Sequence, residues 1–139
     1  MKPFTTPVPN VITRRWHLVD CEGQTLGRLA TKIAHLLMGK GDVDFSYHQD
    51  RGDYVVVTNA ALIQVTGDKP KTKIYHHYSG FPGGLKSQSF GELMAKDPSV
   101  VITHAVMGMI PKNKLRSRRI TRLKIFSGSE HPYSDKLNG

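Results

Sequence analysis

The residues best suited to chemistry in this chain are the cations of the segment from Pro111 to Lys124, which reads PKNKLRSRRITRLK and holds no acidic residue. Its cations are Lys112, Lys114, Arg116, Arg118, Arg119, Arg122 and Lys124. Guanidinium groups bind phosphate through two parallel hydrogen bonds, a geometry that the ammonium group of lysine does not offer. Read as a helix, the segment directs positive charge in nearly every direction. We interpret it as a nucleic-acid-binding element, and the alternative is a solvated surface helix.

A second group of cations lies in the stretch KPKTKIYHHYSGFPGGLK, residues 69–86. Here Lys69, Lys71, Lys73 and Lys86 flank the rings of Tyr75, His76, His77, Tyr78 and Phe81. Unpaired RNA bases stack on such rings while neighbouring lysines meet the phosphates. The alternative is that about half of the strand's side chains face the core, since side chains alternate along a strand. We predict RNA contacts from the four lysines and from His76 and His77.

Four further cations complete the predicted RNA-binding set. They are Arg14 and Arg15 at the end of a proline-rich N-terminal stretch, Arg28 beside the apolar stripe of a predicted helix, and Lys40 after a glycine.

The sequence does not indicate a cofactor, a metal or an enzymatic reaction. The first turn after a predicted strand holds only Gly23 and Gly27, without the spacing of a dinucleotide-binding loop. His48, Asp50 and Asp53 could in principle hold a metal, but no HExxH pattern or Cys/His pairing accompanies them. No serine, cysteine or carboxylate lies in a recognisable catalytic setting. We therefore predict a non-enzymatic protein with no cofactor and no metal site.

Composition places the chain among compact proteins that bind polyanions. It has 139 residues, a net charge of +9, a pI of about 9.9 and 38% hydrophobic residues, which fits a single domain over residues 1–139. Polyanions are the natural partners of such a charge, and no apolar run is long enough to span a bilayer. Cys21 is the only cysteine, and the N-terminus lacks the apolar core of a signal peptide. We expect a cytosolic protein.

Hydrophobic spacing predicts a strand–helix–strand unit at the start of the chain. Residues 16–20 read as a strand, and residues 25–38 have the apolar spacing of an amphipathic helix that Gly39 would end. Residues 53–58, DYVVVT, read as a buried strand. A helical crossover of this kind makes its two strands parallel.

In the rest of the sequence the hydrophobic patterns are less regular, but they still predict further elements. We expect a hairpin of strands 62–66 and 73–78, a glycine-rich loop at 79–86 and a short helix at 89–96. Asp97 and Pro98 would start a buried helix that runs through 100–110. A final strand is predicted at 123–126, and the termini are predicted to be an extended arm (1–15) and a polar surface tail (127–139).

These motifs together resemble the bacterial-type large-subunit ribosomal protein L13 family. The resemblance covers nearly the whole chain, and its signature region is the stretch 106–128 with GMIP at 108–111 and LKIFSG at 123–128. Other matching positions are Val19-Asp20, Gly23, TLGRLA at 25–30, Gly39-Lys40, His48, Asp50, GDY at 52–54, Asn59-Ala60, VTG at 65–67, Lys69, Lys73, Tyr75, His77, Ser79-Gly80, GGLK at 83–86 and EHP at 130–132. The chain departs from the family's usual pattern at Met107, at Arg116-Ser117 and at the sequence GDVD of residues 41–44, where basic residues are common.

The resemblance implies a three-layer α/β/α fold around a mainly parallel sheet. It implies a structural constituent of the large ribosomal subunit that binds 23S-type ribosomal RNA and promotes its folding and subunit assembly. The expected location is the large subunit of a cytoplasmic, bacterial or organellar-type ribosome. The expected partners are ribosomal RNA and neighbouring ribosomal proteins, with no membrane contact and no homo-oligomer. The alternative function is an RNA-modifying or nucleotide-dependent enzyme on an α/β scaffold.

Overall fold

The structure, a computed structural model, describes residues 12–138 and is organised around a strand–helix–strand unit. The chain runs from β1 (Trp16–Asp20) through α1 (Leu26–Met38) to β2 (Tyr54–Thr58). β1 and β2 pair in parallel, in register from Trp16 opposite Tyr54 to Asp20 opposite Thr58. The predicted helix, both predicted strands and their parallel pairing are confirmed.

The later elements extend this unit into an α/β fold. A third strand, β5 (Leu123–Ile125), pairs in parallel with the other edge of β2, so the sheet has the order β1-β2-β5. Two more strands, β3 (Ile74–Tyr78) and β4 (Leu85–Ser89), form a separate antiparallel hairpin. In chain order the elements are a 3-10 turn (Ala60–Leu62), α2 (Lys69–Thr72), β3 (Ile74–Tyr78), β4 (Leu85–Ser89), α3 (Phe90–Lys96), α4 (Pro98–Met109), α5 (Leu115–Thr121), β5 (Leu123–Ile125) and α6 (Ser134–Leu137).

Local sequence signals fix several helix ends. Gly39 ends α1 in the left-handed conformation (φ 75°), and its N–H donates to the carbonyl oxygens of residues 35 and 36. Ser89 and Glu92 form a reciprocal capping box at the start of α3. The Asp97 carboxylate accepts from the N–H of Ser99 at the start of α4. The predicted roles of Gly39 and Asp97 are confirmed.

The main core lies between one face of the sheet and the helices α1 and α4. Val19, Val55 and Val57 point to this face and belong to one buried cluster with the apolar stripe of α1, whose members are Leu26, Leu29, Ala30, Ile33, Ala34 and Leu37. α4 adds Val101, Ile102 and Val106, each with no exposed surface. The apolar stripe of α1 therefore packs against the valines of β2.

Aromatic side chains cover part of the other face of the sheet and form a third layer. Trp16 and Tyr54, neighbours across the strands, stack with their ring centroids 4.3 Å apart. Tyr133 stacks on Trp16 at 5.1 Å and lies 6.0 Å from the ring of Phe126. The segment predicted to be a polar surface tail therefore folds back onto the sheet, and α6 contacts β1. Of the predicted N-terminal arm, residues 1–11 lie outside the described residues.

The predicted hairpin of residues 62–66 with residues 73–78 is wrong. β3 pairs instead with β4, from Ile74 opposite Ser89 to Tyr78 opposite Leu85. The chain after β2 turns at once, because Asn59 takes a left-handed conformation (φ 56°) and a 3-10 turn follows. Residues 62–66 then make only a single bridge to another segment, between Gln64 and Thr25. Ile63 and Val65 of this run therefore pack against the core without forming a strand, while Thr66 is exposed.

Candidate nucleic-acid interface

Three of the predicted cations converge on one cleft at the start of α1. Arg28, Lys69 and Lys73 line a cleft of about 390 Å³, together with Thr25 and Thr66. Arg28 is in the first turn of α1, while the two lysines are at either end of α2. The turn before α2 thus brings positive charges that are about 40 residues apart in sequence to one site.

The helix end within this cleft is free of acidic residues. No aspartate or glutamate lies in the first turn of α1, and the side chain of Thr25 makes no capping hydrogen bond. Gly27 is exposed, and a Cβ built on it would contact no atom within 4 Å. The amide groups at the start of a helix carry partial positive charge, which adds to that of the three cations. The cleft is therefore suited to an anion.

The β3–β4 hairpin holds a second group of predicted residues. His77 and Lys86 are opposite each other across the hairpin. Together with His76 they line a cavity of about 390 Å³, and His104 of α4 lines its other side. The Lys73 ammonium lies 5.2 Å from the centroid of the Tyr75 ring, within cation–π range.

The expectation that half of the β3 side chains face the core is wrong. Only Tyr75 packs against the core cluster, while the other four residues of β3 are exposed. The reason is that the hairpin stands apart from the three-stranded sheet. Tyr78 and Phe81 are 62% and 74% exposed, so their rings are available for stacking.

The basic segment of residues 111–124 divides into an outward part and an inward part. Only Leu115–Thr121 is helical. Arg119 is 2% exposed and Arg122 is 6% exposed. Arg122 donates from its two terminal nitrogens to the two carboxylate oxygens of Asp50, each at 2.6 Å, and also to the main-chain oxygen of Leu37 at 3.0 Å. Two of the arginines predicted to bind RNA are thus part of the protein's interior.

Asp50 is surrounded by three guanidinium groups. Arg122 forms the bidentate pair, the Arg119 Nε lies 3.7 Å from the carboxylate, and an Arg14 terminal nitrogen lies 3.8 Å from it. Burial by itself would raise the pKa of Asp50, but the hydrogen bonds and charge of Arg122, with the charges of Arg14 and Arg119, outweigh it and lower that pKa. Burial is also the main reason why the pKa of Arg119 is lowered. Arginine nevertheless keeps its charge in proteins, so the cluster has an excess of positive charge.

The two arginines of the N-terminal arm differ in their contacts. Arg14 donates to the main-chain oxygens of Asp50 and Gly52, and its side chain is 24% exposed. Arg15 is 64% exposed and pairs with Asp42 at 2.7 Å and with Asp53 at 3.6 Å. Both therefore hold the arm against the segment before β2.

The other predicted cations make no ion pair with any residue between 12 and 138. Most are exposed, and Lys73, Arg116 and Lys124 are half-buried. The full set is Arg28, Lys40, Lys69, Lys71, Lys73, Lys86, Lys112, Lys114, Arg116, Arg118 and Lys124.

The aspartates considered as metal ligands have other partners. Asp50 binds arginines, and Asp53 accepts from the Arg15 N–H at 3.0 Å and contacts the His17 Nε2 at 2.8 Å. Within residues 12–138, no group of three or more His, Cys, Asp or Glu side chains is placed to hold a metal ion. In the same part of the chain, no helix is both long enough and apolar enough to cross a membrane.

Sequence reasoning missed Asp50 as the residue that organises the arginines. A signal was present, because Leu115, Arg119 and Arg122 follow the i, i+4, i+7 spacing that places residues on one helix face. That spacing puts the two arginines on the same side as an apolar residue. Sequence reasoning also missed that Thr25 and Thr66 line the cleft at the start of α1, which we call the α1 cleft.

Comparisons with known proteins place these features in a family. The family model described as Ribosomal protein L13 matches residues 14–132. A protein of Clostridioides difficile named Large ribosomal subunit protein uL13 is 52% identical over 126 residues, covering 91% of this chain and 88% of the relative. Proteins of the same name from Azotobacter vinelandii and Legionella pneumophila are 51% and 48% identical over 134 residues, covering 96% of this chain and 94% and 92% of the relatives. With a family match over most of its length and relatives at about half identity, the chain belongs to the ribosomal protein L13 family.

Proposed function

We propose that this protein is a structural constituent of the large ribosomal subunit, where it binds 23S-type ribosomal RNA and promotes RNA folding and subunit assembly. The proposal includes contacts with neighbouring ribosomal proteins and a cytoplasmic location within the subunit. The observation that carries it is the set of predicted cations that have no ion pair within the described residues, in a chain of a ribosomal protein family.

The acidic residues explain why so much positive charge remains available. Four aspartates pair with cations elsewhere in the described chain. Arg15 pairs with Asp42 and Asp53, and Arg51 pairs with Asp44. Arg119 and Arg122 pair with Asp50. Glu92 and Asp97 cap helices. None of these carboxylates pairs with a cation of the α1 cleft or the hairpin. Phosphates can therefore meet those cations without first displacing a protein carboxylate.

The proposed interface consists of three surfaces. They are the α1 cleft (Arg28, Lys69, Lys73), the hairpin surface (His76, His77, Lys86) with Lys71 of the preceding α2, and the outward part of the basic segment (Lys112, Lys114, Arg116, Arg118, Lys124). Lys40 and Arg15 are additional contacts. Arg119 and Arg122 are left out, because their guanidinium groups are buried against Asp50.

The alternative enzyme function has less support. Cys21, the only cysteine, has its pKa raised to about 11 by burial and by the nearby Asp20, so its thiol is a poor nucleophile at neutral pH. The His17–Asp53 pair lies beside Arg15 and joins β1 to the start of β2. An enzyme would act on the subunit and leave, whereas a structural protein would sediment with it in fixed proportion.

The test is the affinity for purified 23S-type ribosomal RNA as a function of salt. We expect log affinity to fall linearly with log salt concentration, because phosphate contacts release counterions. A variant with Arg28, Lys69 and Lys73 changed to glutamine should lose about two to three units of slope, at about 0.7–0.9 per phosphate contact. The matched control changes three exposed cations outside the proposed interface, Lys32, Lys96 and Lys136, to glutamine.

The result decides between specific surfaces and general charge. Equal losses in both triple variants would contradict the assignment of the α1 cleft. No measurable binding of ribosomal RNA by the wild-type protein, together with absence from sedimented large subunits, would contradict the proposed function itself.

A further inference from the structure

A cavity of about 540 Å³ opens between the N-terminal arm, the segment before β2 and α5. Arg14, His48, Asp50, Arg118 and Arg122 line it, with Tyr54 contributing an aromatic wall. It is separate from the α1 cleft and from the hairpin cavity, with which it shares no lining residue. Four of its lining residues are cationic or can become so, and one is acidic.

The charges around this cavity do not balance. The Asp50 carboxylate is within 4 Å of guanidinium nitrogens from Arg14, Arg119 and Arg122, so one negative charge faces three positive charges. Two of these arginines are more than nine-tenths buried, and their Nε atoms have no hydrogen-bond partner among the described residues. Uncompensated charge in a partly buried site is unfavourable, and an anion would offset it.

Arg118 is the residue free to bind that anion. It lines the same cavity, is exposed and makes no ion pair with any residue of the described chain. The terminal nitrogens of Arg14 and Arg122, in contrast, already donate to protein oxygens. A guanidinium without an ion pair, in a cavity that His48 and the buried Arg122 also line, suits the two-oxygen geometry of a phosphate group.

We propose that this cavity binds one phosphate group, and that in the assembled state this is a backbone phosphate of ribosomal RNA. Arg118 is the direct ligand, His48 lines the same cavity, and the arginines around Asp50 supply fixed positive charge. The assignment to RNA rests on the proposed function, whereas the phosphate chemistry of the cavity does not.

The experiment compares the full wild-type chain with Arg118→Gln and with the control Lys136→Gln. The control removes an exposed cation of α6 that does not line the cavity. Glutamine is a good helix former, so Arg118→Gln should fold normally. In the first measurement, inorganic phosphate is titrated at constant ionic strength and the thermal midpoint is followed. We expect phosphate to raise the thermal midpoint of the wild type and of Lys136→Gln, and to leave that of Arg118→Gln unchanged.

The second measurement is the affinity for 23S-type ribosomal RNA across salt concentrations. We expect Arg118→Gln to bind about tenfold more weakly and with a salt slope smaller by about one, while Lys136→Gln binds like the wild type. Together these results would support a phosphate site that RNA occupies.

Other outcomes overturn the proposal in distinguishable ways. A phosphate-dependent midpoint that needs Arg118, with equal RNA affinities, would mean a site for free phosphate and overturn the RNA assignment. Identical responses of wild type and Arg118→Gln in both measurements would overturn the site. A wild type that binds phosphate through Arg118 but no ribosomal RNA would leave the cavity intact and contradict the proposed function.

Discussion

Replacing Asp50 by asparagine should destabilise the protein strongly, because it removes the carboxylate that three guanidinium groups surround. The Asp50 side chain is 13% exposed and accepts two hydrogen bonds of 2.6 Å from Arg122. Asparagine has nearly the same shape, but it has one acceptor oxygen and no charge. Arg14, Arg119 and Arg122 would then repel one another without a counter-charge.

The magnitude follows from the burial of the pair. Removing one partner of a buried ion pair costs about 3–5 kcal/mol, because the other charge is left uncompensated. Asparagine can still accept one hydrogen bond from Arg122, so we expect a loss at the low end, about 3 kcal/mol. With an unfolding entropy of about 2.1 cal/mol/K per residue, this corresponds to a fall in Tm of about 10 °C.

The assay is thermal and urea unfolding of the wild type, Asp50→Asn and the matched control Asp44→Asn. Asp44 undergoes the same chemical change, but its side chain is 71% exposed and lies 3.4 Å from Arg51. An exposed pair of this kind contributes less than about 1 kcal/mol. Should Asp50→Asn lose no more stability than Asp44→Asn, the view that Asp50 holds the arginine cluster together would be refuted.

Three further predictions concern acid, packing and charge near the same segment. The Asp50 pKa is lowered from 3.8, so the unfolded chain binds more protons and stability falls as pH drops below about 4. Acid titration of unfolding should therefore show a weaker loss for Asp50→Asn than for the wild type, and parallel curves would contradict this. Gly52→Ala should cost about 2 kcal/mol or more, since a Cβ there would overlap the Leu37 main-chain oxygen in the last turn of α1, and near-wild-type stability in urea would refute the contact. Asp42→Asn should remove the closer of the two carboxylates that pair with Arg15 and tighten RNA binding about two- to threefold, whereas the same change at the exposed Asp135 should have a smaller effect; equal effects would mean that only net charge matters.

Regular hydrophobic spacing was enough to predict the centre of the fold. The apolar positions of α1 recur with helical period, and the valines of β2 form a short apolar run between polar residues. A helix between two such strands allows essentially one arrangement, the right-handed parallel crossover. The order of these elements in sequence therefore determines their order in space.

Strand pairing outside this unit could not be predicted in the same way. Residues 62–66 have the composition of a strand, but composition does not specify a partner. The glycine-rich turn at 79–84 brings Leu85–Ser89 next to β3, although LKSQS has weak strand character. Gly80 and Gly83 both adopt positive φ there, which only the turn geometry reveals.

The sequence likewise predicted one part of the candidate interface and not another. Residue type predicted which side chains are cationic, and the structure brings Arg28, Lys69 and Lys73 to one cleft from distant points in the sequence. Residue type could not predict that Arg119 and Arg122 point inward, since direction depends on the helix face and on a carboxylate about 70 residues earlier. A variant that removes all four arginines between 116 and 122 would therefore unfold the protein as well as remove surface charge.

The position of the carboxylates thus determines which cations remain available for the proposed RNA contacts. Arg118 and Arg119 are adjacent in sequence and chemically identical, yet Arg119 is buried beside Asp50 while Arg118 has no ion pair among the described residues. Successive residues of a helix point about 100° apart, and of these two arginines only Arg119 brings its guanidinium within 4 Å of the Asp50 carboxylate. The inward arginines fix α5 to α1 and to the segment before β2, and in doing so they hold the outward arginine at a defined place. A charge held in place loses less conformational entropy on binding than one on a mobile loop, so in the proposed phosphate site the buried ion pair would favour binding through the position it gives to Arg118.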